Sequence, residues 1–352
     1  MTLIICTSLI LLFLGTLAAR FFFNNTITWK ESAIQMGIQA VLVLAVVVGS
    51  FSTNITDWKV ISGHVTKKEQ VKVSCEHSYS CRCRTVKSGD SYTTRCDTCY
   101  RHHNDWDWRV YSNVGQVNIK RIDSRGKKEP PRWTEVKVNE PFSTVSSFRN
   151  YVRASSDTLF SVSEDNMKFF KGVSPYPRQI YDYYKSVRVV SDGVPVDKGA
   201  WNTRIAEIQR TVWPKKRANI IFYFTKETDP SYRYAVESAW KGAKINDVVV
   251  IIGASDYPKV DWVDVITYGR NKGNELTSIM IKDKITEMGE IDIKMVNETA
   301  KIILDKFDLI TEKTFEYLKD SVKLSFGQML FIVLIQIAAF VGLTIFFHKN
   351  EI

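Results

Sequence analysis

The sequence lacks the short signatures that most directly reveal an enzyme. It has no G-x-S-x-G elbow, no H-E-x-x-H pair, no P-loop and no dinucleotide glycine fingerprint. The activities built on those motifs therefore have no support here. It also lacks internal repeats and low-complexity tracts, which removes solenoid and repeat architectures. Lys and Arg exceed Asp and Glu by 48 to 38, a formal net charge of +10, yet no block of basic residues is as dense as a nucleic-acid-binding tail. The excess charge instead suits anionic lipid headgroups or an acidic protein, and nucleic acid is not the expected partner.

Charge itself is missing from three stretches: residues 2–19, 32–51 and 329–347. Each is about as long as the roughly 17–25 residues a helix needs to cross a bilayer. Three buried core helices would give the same pattern, as would a cleaved signal peptide for the first run. The first run has no basic n-region, however, and a second full span follows closely. The expectation is a three-span membrane protein with a helical hairpin over 1–51, a third span at 329–347 and a tail at 348–352. Residues 1–6 carry no basic side chain. Arg20 and Lys30 flank the first connection, and His348 and Lys349 follow the last run. The positive-inside rule then places both basic flanks in the cytoplasm and residues 52–326 outside it.

With 352 residues, the chain has room for two compact domains between the spans. Residues 52–186 read as a β-rich, cysteine-bearing domain. Alternation at 70–74 and the paired segments 108–111 and 116–122, around Asn113–Gly115, predict strands. Many aromatics follow, Phe142, Phe148, Tyr151, Phe160, Phe169, Phe170, Tyr176 and Tyr184 among them, and Ser174–Arg178 marks a boundary with two prolines. Residues 187–320 alternate helix and strand. Helices are predicted at 202–212, 231–240 and Glu275–Met288, and buried strands at Asn219–Thr225, Asp247–Gly253 and 262–268. A final stripe of Val296, Ala300, Ile303, Leu304, Phe307 and Ile310 predicts a helix running on through Leu318. The fold class is thus α+β, with an α/β sandwich as its second domain.

Five of the six cysteines lie close together as C-x5-C-x-C-x12-C-x2-C: Cys75, Cys81, Cys83, Cys96 and Cys99. A turn at Ser88–Asp90 would set Cys81 and Cys83 opposite Cys96 and Cys99. Two facing cysteine pairs suit a zinc ribbon, with four ligands drawn from these five and His102; His77 and His103 lie close by. A disulfide framework fits an extracytoplasmic domain equally well, although the odd count leaves one thiol over. A redox C-x-x-C at Cys96–Cys99 is the third reading. Glu76 and Asp97 are near, but nothing marks either as the acid or base of a catalytic zinc. Separately, Asp192, Asp247 and Asp256, with Asp261 and Asp264, sit at strand ends, where carboxylates collect Ca²⁺ or Mg²⁺ or simply cap turns.

Residues 187–310 resemble the TPM domain family of membrane-tethered thylakoid and bacterial proteins. The likeness rests on an order of features: Val189–Asp192 as the opening V-x-D, Tyr234–Ala235, Trp240–Gly242, Lys244–Asp247 running into Val248–Ile252, and Val265–Gly269. Asn246–Asp247 stands where the family has Asp-Asn-Gly, and Arg270–Gly273 replaces its acidic continuation. The cysteine-rich segment also resembles membrane proteins encoded by tailed bacteriophages. The resemblance implies a domain outside the cytoplasm serving in assembly, maintenance or turnover of membrane complexes, with acid phosphatase activity in some members. The expected function is a non-enzymatic, membrane-anchored adaptor that presents the TPM-like domain to a partner protein. A metal-dependent phosphatase using Asp192, Asp247 and Asp256, or a cytoplasmic zinc-ribbon binding module, are the alternatives.

Overall fold

The computed structural model describes residues 2–22, 27–88, 91–155, 172–177, 180–268 and 274–350. The turn residues Gly89–Asp90, the aromatics Phe160, Phe169 and Phe170, Arg178, and residues 269–273 of the TPM-like pattern lie outside them. The chain divides into two compact units. One comprises Met1–Trp58, Ser147–Phe169 and Ile310–Ile352, and the other Lys59–Ser146 and Phe170–Leu309.

In the first unit the helix Trp29–Ile55 packs against both Thr2–Phe22 and Phe326–Asn350. It begins at a capping box: Thr28 Oγ1 accepts from the Glu31 amide at 3.2 Å, and Glu31 Oε2 accepts from the Thr28 amide at 2.6 Å. Its partner Phe326–Asn350 runs antiparallel to it. Gln35 Nε2 donates to Thr344 Oγ1 at 2.8 Å near one end, and Asn54 and Gln328 exchange amide hydrogen bonds at the other. Val43, Val47 and Ile332 fill the seam between them. The outward faces are apolar, with Ile34, Ile38, Val41 and Leu44 exposed on one helix and Phe331, Leu334, Ile337 and Val341 on the other. Gln35, Gln39 and Thr344 are buried instead. That inversion of the water-soluble pattern is what lipid rewards, since hydrocarbon has no partner for a side-chain amide.

Two helices among the described residues, not three, are long and apolar enough to cross a membrane: Trp29–Ile55 and Phe326–Lys349. The first run forms the helix Thr2–Phe22, of which the stretch Phe13–Phe22 is counted as a shorter apolar helix. The rest of this unit is tied by Asp57, whose buried carboxylate accepts from Asn150 Nδ2 at 2.7 Å and faces Arg153 Nη1 at 3.4 Å.

The second unit holds two four-stranded sheets and a separate hairpin. The first sheet has the order β5-β4-β1-β6, from β1 (Thr56–Ser74), β4 (Asn104–Ser112), β5 (Gly115–Ile119) and β6 (Pro141–Arg149). β4 and β5 form the tight antiparallel pair predicted around Asn113, with Ser112 opposite Gly115. Val65, Trp108, Val110, Ile119, Val136, Phe142 and Tyr184 make its core. Between β1 and β4 the chain runs out along β2 (Ser78–Ser88) and back along β3 (Ser91–Tyr100).

The second sheet has the order β10-β9-β8-β7. β7 (Val189–Asp192), β8 (Asn219–Thr225) and β9 (Asp247–Gly253) are parallel, and β10 (Trp262–Thr267) is antiparallel to β9. Every residue of β8 and β9 is buried, as expected of strands covered on both faces. Ile220, Phe222, Val248 and Val250 pack on one side against Trp201, Ile205, Ile281, Met295 and Ile303, which come from helices Lys198–Lys216, Glu275–Met288 and Lys294–Lys306. Ile221, Tyr223, Val249 and Ile251 face Tyr232, Val236 and Trp240 on the other, around the short helix Tyr232–Ala239. The last predicted helix does not continue through Leu318. It stops at Lys306, where Phe307 turns extended, and a 3-10 segment follows over Glu312–Ser321. Phe307 is buried in the core, so straight helical continuation would have pulled its ring away from that contact.

Candidate metal centre

Four of the clustered cysteines form disulfides rather than zinc ligands. Cys81 pairs with Cys99, and Cys83 with Cys96. The predicted juxtaposition across the hairpin is present, but each sulfur's neighbour is another sulfur at bonding distance. The zinc-ribbon assignment of Cys81, Cys83, Cys96 and Cys99 is therefore replaced by a disulfide ladder. The redox reading of Cys96–Cys99 fails for the same reason, because those two are not bonded to each other.

Cys75 is left free and buried at the root of the hairpin. It follows the last residue of β1, and His77 precedes β2. His102 lies in the connection from β3 to β4, and Asp105 is the second residue of β4. Strand pairing brings them together. Val73 is opposite Asp105 in the β1–β4 register, Ser78 is opposite Tyr100 in the hairpin, and the Arg101 amide donates to the His77 carbonyl at 3.1 Å. A C-x-H segment leaving one strand thus meets an H-x2-D segment entering the next.

The ligand atoms of Cys75, His77, His102 and Asp105 all lie within 4.8 Å of one another. His102 Nδ1 is 3.1 Å from Asp105 Oδ1, His77 Nδ1 is 3.6 Å from Asp105 Oδ2, and His102 Nε2 is 4.0 Å from Cys75 Sγ. Tetrahedral zinc with bonds of about 2.0–2.3 Å holds its ligand atoms about 3.3–3.6 Å apart. An imidazole ligates one ion through one nitrogen, and with one ligand atom taken from each residue all pairs lie within 4.8 Å, up to about 1 Å beyond that spacing. His102 Nδ1 and Asp105 Oδ1 are close yet not aligned as a hydrogen bond, and with His77 Nδ1 they are buried without a hydrogen-bond partner.

The donor set is one thiolate, two imidazoles and one carboxylate, which suits Zn²⁺ or a related divalent transition metal. A thiolate and a carboxylate together neutralise a divalent ion, which matters because the Asp105 side chain is fully buried. Burial alone raises the Asp105 carboxyl, but the Glu76 amide, His102, Arg121 and His77 outweigh it and hold the group below the usual carboxylate range. Arg121 Nη1 approaches Asp105 Oδ2 at 3.2 Å, and Arg121 is itself anchored on Asp107. On its open side the cluster borders a cleft of about 550 Å³ lined by Ser74, Cys75, Tyr100, Arg101, His102 and His103.

Of the predicted ligands, Cys75 and His102 belong to the cluster. His77 was only noted as a neighbour, and Asp105 was missed. The available signal was the mirrored placement of C-x-H and H-x2-D on either side of a predicted hairpin.

The second predicted cation site does not assemble. Asp192 pairs with Thr225 at the carboxyl end of the parallel strands, whereas Asp247 pairs with Asn219 at the opposite end. Six residues of strand separate them, about 20 Å. Asp247 accepts from Asn219 Nδ2, Tyr176 Oη and the Lys244 amide, each at 2.8 Å. Asp192 accepts from Ser174 Oγ and the Tyr223 hydroxyl. Asp256, in the loop after β9, accepts a backbone turn bond from Lys259 through its carbonyl. Among the described residues, the Cys75 cluster is the one group of three or more such side chains with converging ligand atoms. No family model, curated protein or solved structure matches the chain.

Proposed function

We propose that this chain is a membrane-anchored, non-enzymatic adaptor. In this reading its extracytoplasmic unit is stapled by two disulfides and one divalent metal ion, zinc being the best fit, and it presents a TPM-like α/β layer to a partner protein. The observation that carries the metal is the convergence of Cys75, His77, His102 and Asp105, with His77 Nδ1, His102 Nδ1 and Asp105 Oδ1 buried without hydrogen bonds. The two apolar helices support the anchor. The disulfides support an oxidising compartment, which agrees with the orientation drawn from flanking charge. The adaptor role rests on the TPM-like order of features and on the separation of Asp192 from Asp247.

In this arrangement the ion bridges the exit of β1 to the entry of β4, closing the hairpin at its root where no apolar core does so. Elemental analysis of the full-length protein, purified in detergent with zinc present, tests the assignment. One zinc per chain is expected, with the Cys75 thiol shielded from alkylation until a chelator is added. Cys75→Ser and His102→Ala should each lose most of the zinc while keeping both disulfides. A metal-free wild type with a freely alkylated Cys75 would remove the metal from the reading.

A further inference from the structure

The hairpin β2–β3 is nearly all surface. From Ser78 to Tyr100 only Cys81 and Cys99 are even half-buried among the residues whose exposure is described, and neither sheet's core includes any hairpin residue. A two-stranded ribbon with no core is marginal by itself, which accounts for a disulfide ladder here and nowhere else among the described residues. A segment held rigid but packed against nothing is built to touch something outside the fold.

Its side chains indicate what that is. Arg82, Arg84, Lys87 and Arg95 lie on the hairpin, and none forms an ion pair among the described residues. Arg84 stands directly opposite Arg95 in the register. Like charges in that position destabilise a ribbon, and no carboxylate among the described residues forms an ion pair with either. A local rule broken on an exposed, covalently stapled surface points to a bound anion, because two guanidiniums side by side form a fork for phosphate. Arg82 adds a second departure: it occupies the left-handed region at φ +47°, at the bulge that separates the two disulfide levels. By the register, Tyr79 and Val86 share a face of the ribbon with Arg84 and Arg95, and Tyr92, 70% exposed, and Tyr100 share the other with Lys87. Lys87 lies over the Tyr92 ring at 5.9 Å. Exposed tyrosines and cations without ion pairs on each face match a headgroup layer, which offers phosphates to the charges and a half-apolar zone to the rings.

We infer that this hairpin docks on anionic phospholipid headgroups. The choice of lipid over other polyanions rests on the membrane anchor proposed above, since a tethered chain meets a bilayer at high effective concentration.

The test uses full-length protein in nanodiscs of neutral phosphatidylcholine, mixed with sedimentable vesicles containing or lacking phosphatidylglycerol. The expected result is salt-sensitive capture by the anionic vesicles alone. Each basic residue near such a surface contributes roughly five-fold in affinity, so Arg84→Gln/Lys87→Gln/Arg95→Gln should weaken capture about 100-fold. All three positions are exposed, and intact disulfides by mass spectrometry would show that the hairpin survives. Equal capture by neutral vesicles, or undiminished capture of the triple variant, would overturn the inference. So would retention on an acidic polypeptide but not on anionic vesicles, which would assign the surface to a protein. A chain that stays soluble without detergent fails the anchor reading instead, and the two failures are therefore distinct.

Discussion

Asp247 shows how one side chain couples burial to pH. It begins β9 and is almost fully enclosed, and burial pushes its carboxyl up to about 6 although Asn219, Tyr176 and the Lys244 amide all favour the ionised form. Arg188 lies in the same polar layer. It too is fully buried, with hydrogen bonds to Asn219, Ser62 and Ser143, and burial pulls its guanidinium down to about 10. Arg188 therefore keeps its charge through neutral pH, and Asp247 is the member of the layer that titrates. Its folded value lies above its unfolded one, so the folded state holds the extra proton. The stabilisation is complete below about pH 4 and is lost as the pH rises through about 6, an effect of up to roughly 3 kcal/mol. Denaturant midpoints at pH 5.0 and 7.5 check this: the wild type should be more stable at the lower pH, and Asp247→Asn should flatten that difference. A larger midpoint at pH 7.5 than at pH 5.0, abolished by the same substitution, would reverse the sign and refute the account.

At the scale of elements, the hairpin and the sheets draw on different sources of stability. The sheet β10-β9-β8-β7 is held by apolar side chains on both faces, and reducing agents have no purchase on it. The hairpin depends on its two cross-links, which close separations of 18 and 13 residues. Each taken alone would contribute about 3 kcal/mol through loop entropy, the second less once the first has formed. Mild reduction is expected to open β2–β3 to trypsin at Arg82, Arg84, Lys87 and Arg95 while the fragments carrying both sheets persist. Simultaneous loss of the whole unit on reduction would show that the hairpin is integral to the core after all. The same contrast explains what was legible at this scale. β8 and β9 were plain from unbroken apolar runs, and β4–β5 from turn chemistry. The end of the helix Lys294–Lys306 was not, because Phe307 leaves the helix to fill a core position that periodicity alone assigns equally well to a continuing turn.

For the molecule as a whole, the helices Trp29–Ile55 and Phe326–Lys349 turn apolar faces outward while their amides pair across the seam. The full chain is expected to pellet with membranes after an alkaline carbonate wash and to need detergent for release. Protease added to intact cells should degrade the unit that holds the disulfides, since those bonds persist in an oxidising compartment. A protected domain with all six thiols alkylatable would place it in the cytoplasm.

The amino-acid order was enough to determine the apolar stretches, the alternation of helix and strand after residue 187 and the hairpin that sets two cysteine pairs face to face, because periodicity and turn chemistry act between near neighbours. It did not determine how sulfur and imidazole divide their roles. Four cysteines bond in pairs across the β2–β3 hairpin, and the fifth joins His77, His102 and Asp105 because β1 and β4 pair in a register that sets Val73 opposite Asp105. The same distinction dissolved the carboxylate site: Asp192 and Asp247 look equivalent along the chain, but parallel pairing puts them at opposite ends of one sheet. Which groups meet depends on register, and register is set by packing between segments far apart in sequence.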